Sequence, residues 1–345
     1  MRDVVDLTRT LVRIPSLSNQ EAEVCDFVED ALRSDGWTVR TQPVPVDPGA
    51  SPCPGRRNIL ALQSEEAPQV VLTTHLDTVP PFIDLTEDES CLWGRGTCDA
   101  KGIFAAQWVA AERLRAGGAR GVALLAVVGE ETDSRGAKMV SELLPRADWI
   151  IDGEPTGLHM ANGAKGILSF ELESPGIPAH SAFPERGDSA VHRLVQSLVR
   201  LLEAELPSDP FFGQTTLNVG RIEGGVAPNV VAPHARAQVM VRLAAPAEAV
   251  LDHVRPLLDE TLALTIKSRS EPHRIHALSG HPTEVVRFGS DVPYLSSIGT
   301  PLLVGPGSIH DAHTNHEHVG KSELKSAVDL YVEAAQALLA MPSKG

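Results

Sequence analysis

Cysteine is scarce in this chain, four residues in 345 (Cys25, Cys53, Cys91 and Cys98), and no two are spaced C-x-x-C. A disulfide scaffold is excluded, and the thiols are expected to be reduced. Long apolar runs are missing as well: none approaches the roughly 18 residues that a membrane span needs. Basic residues are outnumbered, 30 Lys and Arg against 45 Asp and Glu, and the formal charge of -15 repels polyanions. Nucleic acid and anionic membrane are thereby excluded as partners, and small substrates are favoured. The opening segment, MRDVVDLTRTLVRIPS, mixes charge with apolar residues and has no uninterrupted apolar stretch like that of a secretory signal, so a cytoplasmic location is expected. A G-x-S-x-G elbow and a Walker A loop are both absent, which removes serine-hydrolase and NTPase readings.

What is present suits a chain with two cores. Apolar residues make up 42% and charged residues 22% of the sequence, which is ordinary for a globular protein, and the length exceeds the usual single-core size. Val4, Val5, Leu7, Leu11 and Val12 predict a helix over residues 3–13 that Pro15 stops. Ser18 and Glu21 form an S-x-x-E capping box for a second helix, with Val24, Phe27, Val28 and Leu32 on one face and Gly36 at its end. Residues 44–54 are Pro-rich and read as a loop. Apolar strands at 70–74, 122–128 and 149–152 then alternate with helices at 103–114 and 137–144, the pattern of an α/β sheet covered by helices. After Gly163 the rhythm changes: strand 167–172, helix 188–202, strands 215–219 and 235–243 and helix 247–258 make a β-α-β-β-α module. A helix near Tyr294, a strand at 301–304 and a helix at 323–339 return to the first style. The expected organisation is a discontinuous catalytic domain, residues 1–163 and 276–345, into which residues 164–275 are inserted as a lid.

The strand ends carry the chemistry, because open α/β sheets bind ligands at the carboxyl ends of their strands. The first strand delivers His75 and, two residues on and on the same face, Asp77. The imidazole can take a metal while Asp77 fixes its other nitrogen; alone, the pair reads equally as a surface His and a turn Asp. Gly94-Arg95-Gly96-Thr97-Cys98-Asp99 lacks the third glycine of a dinucleotide loop, since Asp99 stands there. Asp99 is either a carboxylate that bridges two cations or a helix N-cap. The strand at 122–128 ends in Glu130 and Glu131. Their side chains can point opposite ways, one to a metal and the other to a proton on water; a solvated acidic loop is the alternative. Glu154 follows the third strand, with Asp152 read as structural. The last strand leads into a loop that crowds His310, His313, His316 and His318 into nine residues. One or two of these can join four other ligands, which leaves the rest at the surface. Two divalent cations sharing one carboxylate need such a mixed nitrogen and oxygen set; zinc suits it best, and cobalt or manganese also fit.

The segments His75 to Pro80, Gly94 to Gly102, Gly129-Glu130-Glu131, Gly153 to Thr156 and Gly305 to His313 resemble, in order and over nearly the whole chain, the metallopeptidase family of acetylornithine deacetylase, succinyl-diaminopimelate desuccinylase, carboxypeptidase G and aminoacylase. The resemblance implies an α/β, di-zinc aminopeptidase-like catalytic domain, a mixed sheet flanked by helices, with an inserted α+β ferredoxin-like lid or dimerisation domain. It implies that His75 and Glu154 hold one metal ion and Glu131 and His313 the other. Asp99 would bridge them, Asp77 would support His75, Glu130 would be the general base, and a cis peptide would follow Asp99. In the inserted module, His180 resembles the residue that stabilises the developing oxyanion from a partner subunit, and Asn229 and Arg242 resemble lid residues that bind the substrate carboxylate. The implied activity is hydrolysis of the amide of an N-acyl amino acid, like that of acetylornithine deacetylase, in a homodimer formed through the lid. Dipeptidase, aminopeptidase, carboxypeptidase and desuccinylase activities are the alternatives within the family. A non-catalytic binding protein on the same scaffold would show the loss of a motif residue, and none is missing.

Overall fold

The protein is described by a computed structural model covering residues 2–342, and its chain divides into two compact units. The first comprises Met1–Asn162, Ile275–Glu284 and Ser290–Gly345; the second comprises Gly163–Arg274 and Val285–Gly289.

The first unit is built on a six-stranded mixed sheet in the order Thr38–Pro43, Arg57–Leu62, Val122–Val127, Val70–His75, Trp149–Asp152, Thr300–Leu303. The last four run parallel, whereas Arg57–Leu62 is antiparallel to both of its neighbours. Alternation along the strands separates two apolar layers. Val122, Leu124 and Ala126 join one core, shared with the helices Val4–Arg13, Ala22–Ser34, Lys101–Ala116 and Lys321–Leu339. Ala123, Leu125 and Val127 join the other, which includes Ala137 and Val140 of Arg135–Leu143 and Leu295 of Val292–Leu295. Both faces are covered, so the central strands are buried along their whole length. The carboxyl ends of the four parallel strands therefore open at one edge of the layer.

Two local expectations met tertiary structure differently. Asp3 caps the first helix by accepting from the Val5 and Asp6 N–H groups, and the helix ends at Arg13 before Pro15. The capping box at the second helix is not formed. The helix starts at Ala22 without a side-chain cap, the Ser18 hydroxyl donates to Asp77 at 2.9 Å, and Glu21 lies fully buried against Arg56 at 2.8 Å. Both side chains serve long-range polar partners in the interior, where an unpaired group costs more than an open helix end facing water. Gly36 does follow the helix, with φ at +79°, the left-handed geometry that glycine adopts without a Cβ penalty.

The second unit is a four-stranded antiparallel sheet in the order Thr216–Gly224, His234–Leu243, Gly166–Pro175, Ala263–Ser270. The helices Ala190–Glu203 and Ala247–Val254 pack on it, burying Leu168, Phe170, Leu172, Leu194, Leu198, Val239, Val241 and Val250. Its β-α-β-β-α-β succession and strand order are ferredoxin-like. Ala263–Ser270 is the strand missing from the β-α-β-β-α pattern of the sequence. It lies at a sheet edge and is mostly exposed, and its apolar alternation, Leu262, Leu264 and Ile266, ends before Ser268 and so is short for a strand signal. Among the described residues, no helix is long and apolar enough to cross a membrane.

Candidate metal centre

All five proposed ligands lie in the first unit, each on a segment that the sheet or its loops deliver. His75 is the last residue of Val70–His75, Glu131 lies in the loop after Val122–Val127, and Glu154 stands two residues beyond Trp149–Asp152. His313 sits in the loop that follows Thr300–Leu303, and Asp99 precedes Lys101–Ala116. Asp99 is no N-cap: Ala100 holds that position, with no side-chain cap hydrogen bond. Its carboxylate instead faces two imidazoles, with Oδ1 3.1 Å from His75 Nε2 and Oδ2 3.2 Å from His313 Nε2. His313 Nε2 is also 3.0 Å from Glu131 Oε2. Two triads result, His75, Asp99 and Glu154, then Asp99, Glu131 and His313, each with its ligand atoms within 4.8 Å of one another. Asp99 belongs to both. The peptide bond after it, Asp99-Ala100, is cis.

Two buried carboxylates hold the loops that carry these ligands. Asp77 Oδ1 accepts the Gly129 and Glu130 N–H groups at 2.8 and 3.1 Å, and Oδ2 accepts those of Glu131 at 3.2 Å and the Ser18 hydroxyl. His75 Nδ1 is 2.9 Å from the Asp77 main-chain carbonyl but 3.6 Å from its carboxylate. The hydrogen bond that fixes the imidazole therefore goes to the carbonyl, and the carboxylate acts on the ring by charge alone while gripping the Glu130–Glu131 loop. Gly129 makes that loop possible: its φ is +82°, and a Cβ there would lie 2.3 Å from the Arg56 guanidinium. Glu317 does the equivalent work on the other side, where its Oε1 accepts from Gly96, Cys98 and Asp99 while Oε2 pairs with buried Arg95. Glu317 has no visible role along the chain, because a residue that acts by accepting main-chain N–H groups has no signature of its own in a histidine-rich loop.

The electrostatics show an excess of negative charge. Burial alone would lower His75, yet the Asp77 and Asp99 carboxylates raise it well above the usual imidazole range. Hydrogen bonds to Asp99 and Glu131 raise His313 to about 10. Burial pushes Glu154 well above the usual carboxylate range, and the nearby Glu130 charge adds to this. Glu130 keeps partial solvent access, but enough protein surrounds it that burial raises it too. Glu154 is 4% exposed and, among the described residues, has no hydrogen-bond donor or ion-pair partner. An orphaned buried carboxylate is costly unless a cation answers it. Two nitrogen or oxygen ligands on one tetrahedral zinc lie about 3.3 to 3.6 Å apart, close to the 3.0 to 3.2 Å between Asp99 or Glu131 and the two imidazoles. His313 adopts a φ of 62°, a left-handed conformation costing a non-glycine residue about 1–3 kcal/mol and concentrated at functional sites.

The remaining histidines of the loop stay out of the triads. His310 and His316 are exposed, and His318 stacks on Trp93 with ring centroids 4.2 Å apart. The residues carried onto the inserted module lie in the second unit. His180 bridges to Val230, the Ser181 N–H donates to the Asn229 carbonyl at 3.0 Å, and both loops are exposed. Arg242, on His234–Leu243, is partly buried, which lowers its pKa, and among the described residues its guanidinium has no carboxylate partner.

A mixed α/β unit gathers two triads around a shared aspartate, and each triad has the composition and spacing of a candidate cation site. The chain belongs to peptidase family M20/M25/M40, whose description it matches over residues 71–337. It is 40% identical over 369 aligned positions to a "probable carboxypeptidase" of Aspergillus terreus, covering 95% of this chain and 85% of the relative. Among solved structures it resembles a tripeptidase from Staphylococcus aureus, with a TM-score of 0.83 and 20% identity over 98% of each chain. It also resembles a dinuclear metal-binding M20 peptidase from Bacillus subtilis, with a TM-score of 0.70 and 16% identity over 97% of each chain. The protein is thus a hydrolase of the M20 peptidase family.

Proposed function

We propose that this hydrolase cuts the amide that joins an acyl group, or the preceding residue of a short peptide, to an amino acid with a free carboxylate. Deacylation of an N-acyl amino acid such as N-acetylornithine, desuccinylation, and dipeptidase or carboxypeptidase cleavage are one bond change with different acyl sides. The carboxypeptidase name of the 40% identical relative favours a peptide on that side over the acetyl group. The observation that carries the reading is Asp99, whose two oxygens face two separate ligand triads.

His75, Asp99 and Glu154 would hold one divalent cation and Asp99, Glu131 and His313 the other, with zinc as the proposed ion and cobalt or manganese as alternatives. When bound, the pair supplies Lewis acidity and a water acidic enough to ionise near neutral pH. Glu130 is the general base: it takes the proton of the attacking water and passes it to the leaving amine. A carboxylate raised by burial suits both transfers, because its affinity for the proton moves toward the working pH. Asp77 holds the Glu130 and Glu131 main chain in place through its three N–H contacts. His180 as oxyanion donor and Asn229 and Arg242 as carboxylate receivers belong to the same proposal. The partly buried guanidinium of Arg242, without a carboxylate partner among the described residues, supports its part in it. A homodimer through the second unit and a cytoplasmic location complete the proposal. The dimer is supported by the exposed Val195, Val199 and Leu202 on one helix face.

The test is a parallel assay of N-acetylornithine, N-succinyl-diaminopimelate, N-blocked dipeptides and free dipeptides, with enzyme loaded with zinc or cobalt. Release of the C-terminal amino acid from a peptide is the expected dominant reaction. Acetate release alone would return the assignment to the deacetylase, and no turnover of any of the four would sink it.

A further inference from the structure

We propose that Glu317 is a positioning residue of the metal centre, a main-chain clamp that fixes the bridging Asp99 and sets how tightly the cations bind; this rests on the two-cation reading above. Glu317 is 1% exposed and lies four residues after His313. Its Oε1 accepts from the N–H groups of Gly96 at 2.8 Å, Cys98 at 3.3 Å and Asp99 at 3.2 Å. Its own carbonyl accepts the Gly94 N–H at 3.0 Å, and the next residue, His318, pairs with Trp93 in a small antiparallel sheet. The His313 segment therefore grips the Asp99 turn along its backbone, while the Asp99 side chain meets His313 Nε2 at 3.2 Å.

Two ligands more than two hundred residues apart in sequence are thus joined twice, once through their side chains and once through this clamp. A carboxylate that accepts several main-chain N–H groups makes charge-assisted bonds that resist rearrangement. With the turn so held, the Asp99 oxygens face both triads before any cation arrives. Without the clamp, the cations must order the turn as they bind. The arrangement mirrors that of Asp77, which lies two residues after His75 and grips the Glu130–Glu131 loop through three N–H groups. Each histidine segment carries the carboxylate that secures a ligand loop from elsewhere in the chain. The bland alternative is that Glu317 serves only as the counter-charge of buried Arg95.

Titrating metal-free, full-length enzyme with Co2+, followed by visible absorption, separates these roles. Glu317→Ala is expected to weaken cobalt binding about 10- to 100-fold and to alter the absorption bands. It should lower kcat while KM changes less than about threefold. Glu317→Gln, which keeps an oxygen acceptor, is expected to recover most of the affinity, and Arg95→Met, which leaves the clamp, should bind cobalt nearly as the wild type does. Should Glu317→Ala fail to fold, Glu317→Asp, too short to reach all three N–H groups, is expected to lose about tenfold. A wild-type titration and spectrum in the Ala or Asp variant would overturn the clamp, as would an equal loss in Arg95→Met. Wild-type enzyme that binds fewer than two cobalt equivalents would overturn the two-cation reading and the clamp with it.

Discussion

The two units treat negative charge in opposite ways. In the first, Asp77, Asp99, Asp152 and Glu154 are all at most 5% exposed, and burial drives Asp152 and Glu154 well above the carboxylate range. In the second, acidic groups are held below that range by nearby donors, the exposed Glu223 by Arg236 and Glu248 by Arg255, and the more enclosed Glu171 by Lys267 at its side. The second unit follows the economy of an ordinary soluble domain, with an apolar core inside and loosely paired charges in water. The first violates it at one edge of its sheet. A fold accepts such a cost only where something outside the chain repays it, and here cations can.

The largest test of this contrast is Glu130→Ala. We expect kcat to fall about 10²- to 10⁴-fold with two metal equivalents still bound, as measured by steady-state kinetics beside elemental analysis; undiminished turnover would remove Glu130 from the chemistry. Next comes Phe170→Ala, in the apolar core of the second unit, where Phe170 is fully buried. It should cost about 3–5 kcal/mol in denaturant unfolding while leaving cobalt binding by the first unit unchanged, and a parallel loss of metal affinity would break the separation. Removing the metal with a chelator should lower stability by about 2.7 kcal/mol relative to protein in free zinc at 100 times its Kd. Thermal unfolding with and without zinc measures this, and identical curves would mean that the buried carboxylates need no cation.

The smallest effect belongs to Glu87, an exposed group of the first unit, which Arg9 first and then Lys321 lower to about 2. Because the folded value lies below the ordinary one, its contribution is present above about pH 4.5 and is lost as the pH falls through about 2. Glu87→Gln should therefore be slightly less stable than wild type at about pH 6 and equal to it only below about pH 2. A difference that persisted in acid would show that packing, not charge, is what the substitution removed. The expected outcome sharpens the comparison, since it assigns the unusual electrostatics to the metal edge and not to the whole unit.

Much of that edge was legible in the sequence because most of the proposed ligands lie at or just beyond the end of a regular element, His75, Glu131 and Glu154 after strands and Asp99 before a helix. An apolar strand that stops at His75, or just before Glu130-Glu131, announces both its own burial and the place where its polar terminus emerges. Local pattern misled where a side chain had a better partner far away: Ser18 and Glu21 have the spacing of a capping box but serve Asp77 and Arg56. Edge strands were also hard to see. Thr38–Pro43 and Ala263–Ser270 are largely exposed, so their apolar alternation is too short to separate them from loops.

The set of proposed ligands, the alternation of strand and helix that places it, and the change of style after Gly163 can all be read along the chain. All of these are local, fixed by residue type and period. That Asp99 turns its two oxygens to two different histidines, that His75 is held by the carbonyl of Asp77 and not by its carboxylate, and that Glu317 grips the Asp99 turn are settled by contacts across the fold. Each depends on segments far apart in the chain meeting at distances of about 3 Å, and spacing along a sequence carries no measure of such distances.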